Sequence, residues 1–308
     1  MKKVALIGLG AMGAFFAGRL SDYLGDDFVV IASGERKKRI EQNGLTINNK
    51  HYSFRVLDPE TTVFGADLII VAVKSLALDE ALGQIRNFVG KNTQILAVLN
   101  GVEADEKAMA IYGEDRVLYS YMRVSNEIKD NMAQFDESTG RVFFGEKDNA
   151  ILSDRVRAID ELFNEAGIKF VNDKDMVKSL WHKYMCNVGE NLSCALVGVP
   201  FGGFTCSDNL NAMRVMLMEE VVKVANAKGI SLSRQDIVDQ QPKYLRIPFQ
   251  NQPSTLQDIN NKKVTEIEMF AGTVVRFGRE LNIPTPINEF VYHAIKVLEQ
   301  KNAGLFEQ

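Results

Sequence analysis

The sequence predicts an α/β chain in two domains: a doubly wound, mostly parallel sheet over residues 1–170 and an all-helical domain over 171–308. Three observations carry this. Short, almost uncharged apolar runs alternate with amphipathic stretches through the first 170 residues. The first run ends in a Gly-x-Gly-x-x-Gly turn, Gly8 to Gly13. From about residue 172 the strand-like runs give way to helical periodicity. A chain of 308 residues also suits two domains of roughly 150 residues each.

In the first domain Val4–Ile7, Phe28–Ile31, Leu68–Val73, Gln94–Leu99 and Val117–Tyr121 read as strands. Near-continuous apolar sequence is what a parallel sheet buried on both faces requires. Helical stretches near 12–24, 35–43, 77–89 and 104–111 fall between them, the alternation of a doubly wound fold. Gly140–Glu146 and Lys169–Val171 are candidates for later strands. In the second domain Asn172 or Asp173 is placed to cap a long helix reaching Val197. Further helices read at about 208–229, 262–281 and 287–300. Pro242, Pro248 and Pro253 break the stretch before the second of these, and Pro253-Ser254-Thr255 reads as a loop entering a turn or helix.

Composition narrows the class. Hydrophobic residues are 46% and charged residues 25%, ordinary for a soluble globular protein. That excludes a disordered, collagenous or disulfide-scaffold chain. A net charge of −4, without a block of like charges, argues against a broad polyanion-binding face, so no nucleic-acid partner is expected. The three cysteines, Cys186, Cys194 and Cys206, are an odd and sparse set. They are expected as free thiols in a reducing compartment, the cytoplasm. His182 and Cys186 share a helical face in the manner of metal ligands, but His51 and His293 are isolated and no metal is expected. The uncharged run Val4–Gly18 behind Lys2-Lys3 resembles the apolar part of a signal peptide. It is short for a bilayer and holds four glycines, so a strand and a turn are expected instead, with no membrane partner.

The turn Gly8-Leu9-Gly10-Ala11-Met12-Gly13 follows a strand and opens a helix, the context of a dinucleotide-binding Rossmann-type domain. The first glycine permits the tight turn, the second lets the backbone approach a pyrophosphate, and the third lets helix and strand pack closely. The helix N-terminus then offers N–H groups to the phosphates. The second strand ends at Ile31-Ala32-Ser33-Gly34-Glu35-Arg36. An acidic residue at Ser33 would bind a ribose 2′-hydroxyl. Ser33 and Arg36 instead suit a 2′-phosphate and favour NADPH, while Glu35 keeps NADH as the alternative. Lys74 and Asn100-Gly101 each follow a strand, where ligands of open α/β sheets lie.

On the long helix Lys183, Asn187 and Asn191 stand at i, i+4 and i+8, one stripe at the margin of the apolar arc. Such a stripe suits the wall of a cleft or a set of interhelix hydrogen bonds. The face carrying His182, Gly189 and Ser193 is expected toward solvent. Later, Glu266 and Glu268 flank an apolar face on opposite sides, and periodicity does not choose between them.

With these residues assembled, the chain resembles the ketopantoate reductase (2-dehydropantoate 2-reductase) family over almost its whole length. The resemblance rests on Gly8-x-Gly10-x-x-Gly13, Lys74, Asn100-Gly101 and Leu180-Trp181-His182-Lys183-Tyr184-x-x-Asn187-x-x-x-Asn191. Ser254-x-Leu256-Gln257-Asp258 and Thr265-Glu266-Ile267-Glu268 complete it. It implies NADPH-dependent reduction of ketopantoate to pantoate, on the route to pantothenate and coenzyme A. Lys183 would be the general acid and Glu266 its catalytic partner. Asn187, Asn191 and Ser254 would bind substrate in a cleft between the domains, and Asn100 would stand beside the nicotinamide. The family commonly has Arg where Ser33 stands, which weakens the NADP assignment. Two other readings remain: a dehydrogenase of another small 2-oxo or 3-hydroxy acid, and a sensor that binds NADP(H) without turnover. The apolar C-terminal helices suit a monomer core and a homodimer equally.

Overall fold

The apolar runs of the first half become strands buried on both faces. They are β1 (Val4–Ile7), β2 (Phe28–Ile31), β5 (Val56–Leu57), β6 (Ala66–Val71), β7 (Val89–Ala97) and β8 (Val117–Arg123), joined by β11 (Arg141–Gly145) and β12 (Phe170–Val171). The eight lie in the order β12-β11-β8-β7-β6-β1-β2-β5. Every pairing from β5 to β8 is parallel, β11 runs antiparallel to β8, and β12 parallel to β11. In this computed structural model residues 1–124, 126–129, 131–135, 140–244 and 247–307 are described. The chain divides into two units, Met1–Val177 and Lys178–Gln308.

Successive strand residues point to opposite faces, and each face has its own cover. Val4, Leu6, Val30, Leu68, Ile70 and Leu96 pack with Phe15 and Phe16 of α1 (Ala11–Leu24) and with Ile159 and Phe163 of α5 (Asp154–Glu165). Ala5, Ile7, Val29, Ile69, Val71 and Ile95 pack with Leu78 and Leu82 of α3 (Leu78–Gln84) and Ala108 of α4 (Ala104–Tyr112). The helix expected over 77–89 is therefore shorter. It gives way to a 3-10 turn at Arg86–Phe88, and β7 begins at Val89. The remaining helix of this unit, α2, spans Gly34–Asn43. The uncharged run Val4–Gly18 is thus β1, a turn and the first half of α1, and among the described residues no helix is long and apolar enough to cross a membrane.

A second sheet was not expected. β3 (Leu45–Ile47), β4 (Lys50–Tyr52), β9 (Asn126–Lys129) and β10 (Met132–Phe135) lie in the order β4-β3-β10-β9. Asn48 and Asn49, with φ of 45° and 69°, turn the β3–β4 hairpin as asparagines in left-handed conformations can. Leu45, Ile47, Ala133 and Phe135 join the core around α1. None of these four short strands is a continuous apolar run of the kind that marks β1 and β2, and β3 and β10 meet across more than eighty residues.

The second half is helical as expected, with three corrections. The helices are α6 (Met176–Cys186), α7 (Leu192–Val197), α8 (Asp208–Ala227), α9 (Arg234–Tyr244), α10 (Ser254–Asn260), α11 (Thr273–Leu281) and α12 (Pro286–Asn302). First, neither Asn172 nor Asp173 caps α6. The Asn172 amide donates to the Phe144 carbonyl at 2.9 Å and the Asp173 carboxylate accepts from the Tyr121 hydroxyl at 3.3 Å. Both side chains are engaged with the sheet, and the helix starts at Met176.

Second, the helix to Val197 is interrupted by a π turn over Asn187–Asn191. The face expected toward solvent is buried there. A Cβ on Gly189 would lie 2.5 Å from Met218 Cγ and 3.0 Å from the Arg214 carbonyl oxygen. Only glycine lets the turn approach α8 this closely. The Ser193 hydroxyl, fully buried, donates to the Gly189 carbonyl at 2.6 Å. Third, the helix expected from Lys262 starts only with a π turn at Glu268–Gly272 that leads into α11. Lys262 has φ of 54°, and the N–H and hydroxyl of Thr265 donate to Glu299 Oε1 at 2.8 and 2.7 Å. These hold the lead-in out of a helix.

Candidate functional site

The N-terminal unit gathers its candidate residues on one edge of the sheet. Ile7, Val71, Ala97 and Ile31 mark where the strands end, Ile7 lying level with both Ile31 and Val71, and Val71 with Ala97. Gly8, Lys74, Asn100 and Ser33 all follow within three residues of those positions. From β1 the chain builds outward through β2 to β5, then crosses back past β1 to β6. β1 and β6 therefore flank a topological switch point, where open α/β sheets bind ligands.

The glycine turn has the geometry its spacing predicts. Gly8 has φ of +97°, and a Cβ there would stand 2.6 Å from the Ala72 carbonyl carbon. A Cβ on Gly13 would stand 1.9 Å from the Gly8 oxygen. The turn and α1 can pack only while both are glycine. A Cβ on Gly10 would meet no atom within 4 Å, so the outer face of the turn is open to a phosphate group. Gly10 is the N-cap of α1, no side chain caps the helix, and its first turn carries no acidic residue. Leu9, Ala11 and Met12 line the same turn, each half-buried. These features fit a dinucleotide pyrophosphate.

Ser33 is the exposed N-cap of α2, and its hydroxyl makes no capping bond. Arg36 is exposed one turn further on. Glu35 is paired with Lys38 at 2.8 Å. Lys74 is exposed after β6, and Asn100 is half-buried beside Gly101, whose φ is +95°. Sequence reading missed Asp105. Its carboxylate, 2% exposed, accepts from the Ser120 N–H at 3.1 Å and the Ser120 hydroxyl at 3.4 Å. Burial holds its pKa well above the usual carboxylate value. An aspartate in the first turn of a helix carries no sequence signal of such a role.

The C-terminal unit holds the other candidates. Lys183 on α6 is 7% exposed and Asn191 8%. Asn187 is half-buried at the start of the π turn that Asn191 ends. The turn alters the regular stripe, because its wider coil changes the angle between successive residues. Ser254 is exposed at the first residue of α10, and α10 packs against α7 and that π turn. Glu266 is half-buried just before the second π turn, and the two π turns pack on each other. Glu268 faces outward, accepting from the Tyr292 hydroxyl at 2.8 Å and lying 3.6 Å from Lys296 Nζ.

The sulfur chemistry is quiet. Cys186 Sγ lies 3.8 Å from His182 Nδ1, and no cluster of three or more His, Cys, Asp or Glu forms among the described residues. Burial, with the nearby Glu190 charge, pushes the Cys194 thiol up to about 12. It is a core thiol and a poor nucleophile.

Comparison with known proteins gives this arrangement a family. The profile described as ketopantoate reductase PanE/ApbA matches residues 4–149, and that of the ketopantoate reductase PanE/ApbA C terminal matches residues 175–299. The chain is similar to the 2-dehydropantoate 2-reductase of Aquifex aeolicus, 27% identical over 305 residues, covering 97% of this chain and 98% of the relative. That of Pyrococcus horikoshii is 27% identical over 313 residues, covering 98% and 99%. Among solved structures, D-mandelate dehydrogenase with NADH and anilino(oxo)acetate shares the fold with a TM-score of 0.86 at 22% identity, covering 98% of this chain and 99% of the other. A PanE/ApbA family ketopantoate reductase from Ralstonia eutropha shares it with a TM-score of 0.82 at 24% identity and the same coverage. One profile covers the glycine turn and its sheet and the other the region bearing Lys183 and Glu266, and the chain belongs to the ketopantoate reductase family of oxidoreductases.

Proposed function

We propose that this protein reduces 2-dehydropantoate to pantoate with NADPH, in the supply of pantothenate and coenzyme A. The observation that carries the reading is the Lys183–Asn187–Asn191 set on α6 and its π turn, with Lys183 nearly buried. NADPH supplies a hydride to the keto carbon when bound. Lys183, as its ammonium form, hydrogen-bonds the ketone oxygen and gives it a proton. Negative charge grows on that oxygen during reduction, so a fixed cation stabilises the transition state more than the ground state. Glu266 accepts a hydrogen bond from the substrate hydroxyl and orients it. Asn187 and Asn191 donate from their carboxamides, and Ser254 binds the carboxylate end.

Gly8 to Gly13 take the pyrophosphate, Ser33 and Arg36 the 2′-phosphate, and Lys74 and Asn100 border the nicotinamide side. A cytoplasmic enzyme is the reading that free thiols favour. A homodimer is favoured over a monomer by the relative described as a dimeric ketopantoate reductase from Staphylococcus aureus. Two observations support a second reading, NADH-dependent reduction of another 2-oxo acid. The strand-end residue Ser33 is uncharged, and the fold is shared with a D-mandelate dehydrogenase bound to NADH. The deciding experiment is a panel of 2-oxo acids offered with NADPH and with NADH. The proposal expects the highest kcat/KM for ketopantoate with NADPH. A larger value for an aromatic 2-oxo acid with NADH selects the second reading, and cofactor binding without turnover selects a sensor.

A further inference from the structure

Tyr184 follows the candidate proton donor on α6 and is 1% exposed. Its ring meets Trp181 edge-on, with centroids 5.7 Å apart, and Trp181 stacks on Phe277 of α11 at 6.1 Å. The Tyr184 hydroxyl donates to the Phe270 carbonyl oxygen at 2.6 Å. Phe270 lies in the π turn Glu268–Gly272, and its own N–H donates to the Glu266 carbonyl at 3.0 Å. The Gly272 N–H reaches back five residues to Ile267, also at 3.0 Å, the bond that widens the turn.

A helix can carry an ordinary turn or a π turn with small backbone changes, and the wide form shifts carbonyls off the regular ladder. The Phe270 carbonyl accepts from the Thr273 N–H, and a carbonyl oxygen has two lone pairs. Tyr184 donates to the same oxygen, from the helix that carries Lys183 to the segment that carries Glu266. We propose that Tyr184 is a positioning residue: its hydroxyl holds the π turn after Glu266 in register with α6, and so fixes where the Glu266 carboxylate stands toward a bound 2-oxo acid. The effect on substrate rests on the function proposed above; the tie itself does not.

The test is Tyr184→Phe, which removes one oxygen and leaves the ring packing. The KM for the 2-oxo acid is expected to rise about tenfold while the NADPH Kd, read by fluorescence titration, stays within about twofold. Amide exchange over residues 270–273 is expected to speed about tenfold as the turn loosens. Tyr184→Met runs beside it and gives the same readouts should the phenylalanine variant not fold. Unchanged KM and kcat, or a parallel weakening of substrate and cofactor, overturns the positioning role. Unchanged exchange overturns the tie. If the parent enzyme turns over no 2-oxo acid, the proposed function fails. The exchange measurement still decides separately whether the hydroxyl holds the turn.

Discussion

The Asp105 carboxylate stands in for a missing strand beside Ser120. β7 pairs with β8 at Ile95↔Val117 and Leu96↔Leu118. β7 ends at Ala97 while β8 continues to Arg123. The Ser120 N–H lies past the end of that pairing and donates to Asp105 at 3.1 Å. One buried side chain thus ties the start of α4, just after the Asn100-Gly101 turn, to the sheet edge.

This tie makes stability depend on pH in a definite direction. Burial raises the Asp105 pKa in the folded state above its ordinary value, so the folded protein holds this proton more tightly than the unfolded chain. The resulting stabilisation is full below the unfolded carboxylate pKa and is lost as pH rises through the folded one. Asp105→Asn keeps a neutral hydrogen-bonding group of the same size. Melting temperatures of parent and variant are expected to be similar near pH 4 and to diverge as pH rises, with the variant the more stable at high pH. A constant difference across that range would show that Asp105 is not the titrating group.

Gly13→Ala tests the close approach in the glycine turn. The new Cβ would stand 1.9 Å from the Gly8 oxygen, a backbone atom with nowhere to withdraw while Gly8 itself abuts Ala72. Overpacking of this kind costs about 1–3 kcal/mol. The expected result is a lower melting temperature together with weakened binding of both NADPH and NADH, measured by titration. Gly10→Ala meets no atom in the free protein. It is expected to leave the melting temperature near the parent's and to weaken only the cofactor.

Arg36→Ala separates the two cofactors. An exposed guanidinium acts on a 2′-phosphate by charge-assisted hydrogen bonding, an interaction NADH cannot make. Loss of one such bond is worth about 1.5–3 kcal/mol, so the KM for NADPH is expected to rise tenfold or more, on the order of that energy, with NADH little changed. Equal effects on both cofactors would remove Arg36 from 2′-phosphate recognition.

The parts of the fold legible in the sequence are those whose signal is local and repeated. Val4–Ile7 and Phe28–Ile31 are strands with the bounds their apolar runs suggest. The glycine turn also announces itself, because only glycine tolerates Gly8's backbone and Gly13's crowding. Features set by distant neighbours were hidden. The π turn at Asn187–Asn191 depends on Gly189 meeting α8, and the second sheet on β3 meeting β10. The helix expected to start at Lys262 is displaced by Thr265 bonding to Glu299, thirty-four residues away. Lys183 and the two asparagines were legible as a stripe, but the wide turn that reshapes it was not.

Lys183→Ala bears most directly on the chemistry. Lys183 is 7% exposed on α6, and a long cationic side chain so enclosed is rare unless its charge is engaged. If it donates the proton, its removal leaves the developing alkoxide to solvent, and kcat is expected to fall by a factor on the order of a hundred or more. Cofactor binding should hardly change, because the proposed function gives the pyrophosphate to the glycine turn of the other unit. Lys183→Arg is the informative companion. It keeps a cation but not a group that gives up a proton near neutral pH, so it should retain substrate binding better than alanine while recovering little of the rate. A near-parental kcat in the alanine variant would mean that the proton comes from elsewhere.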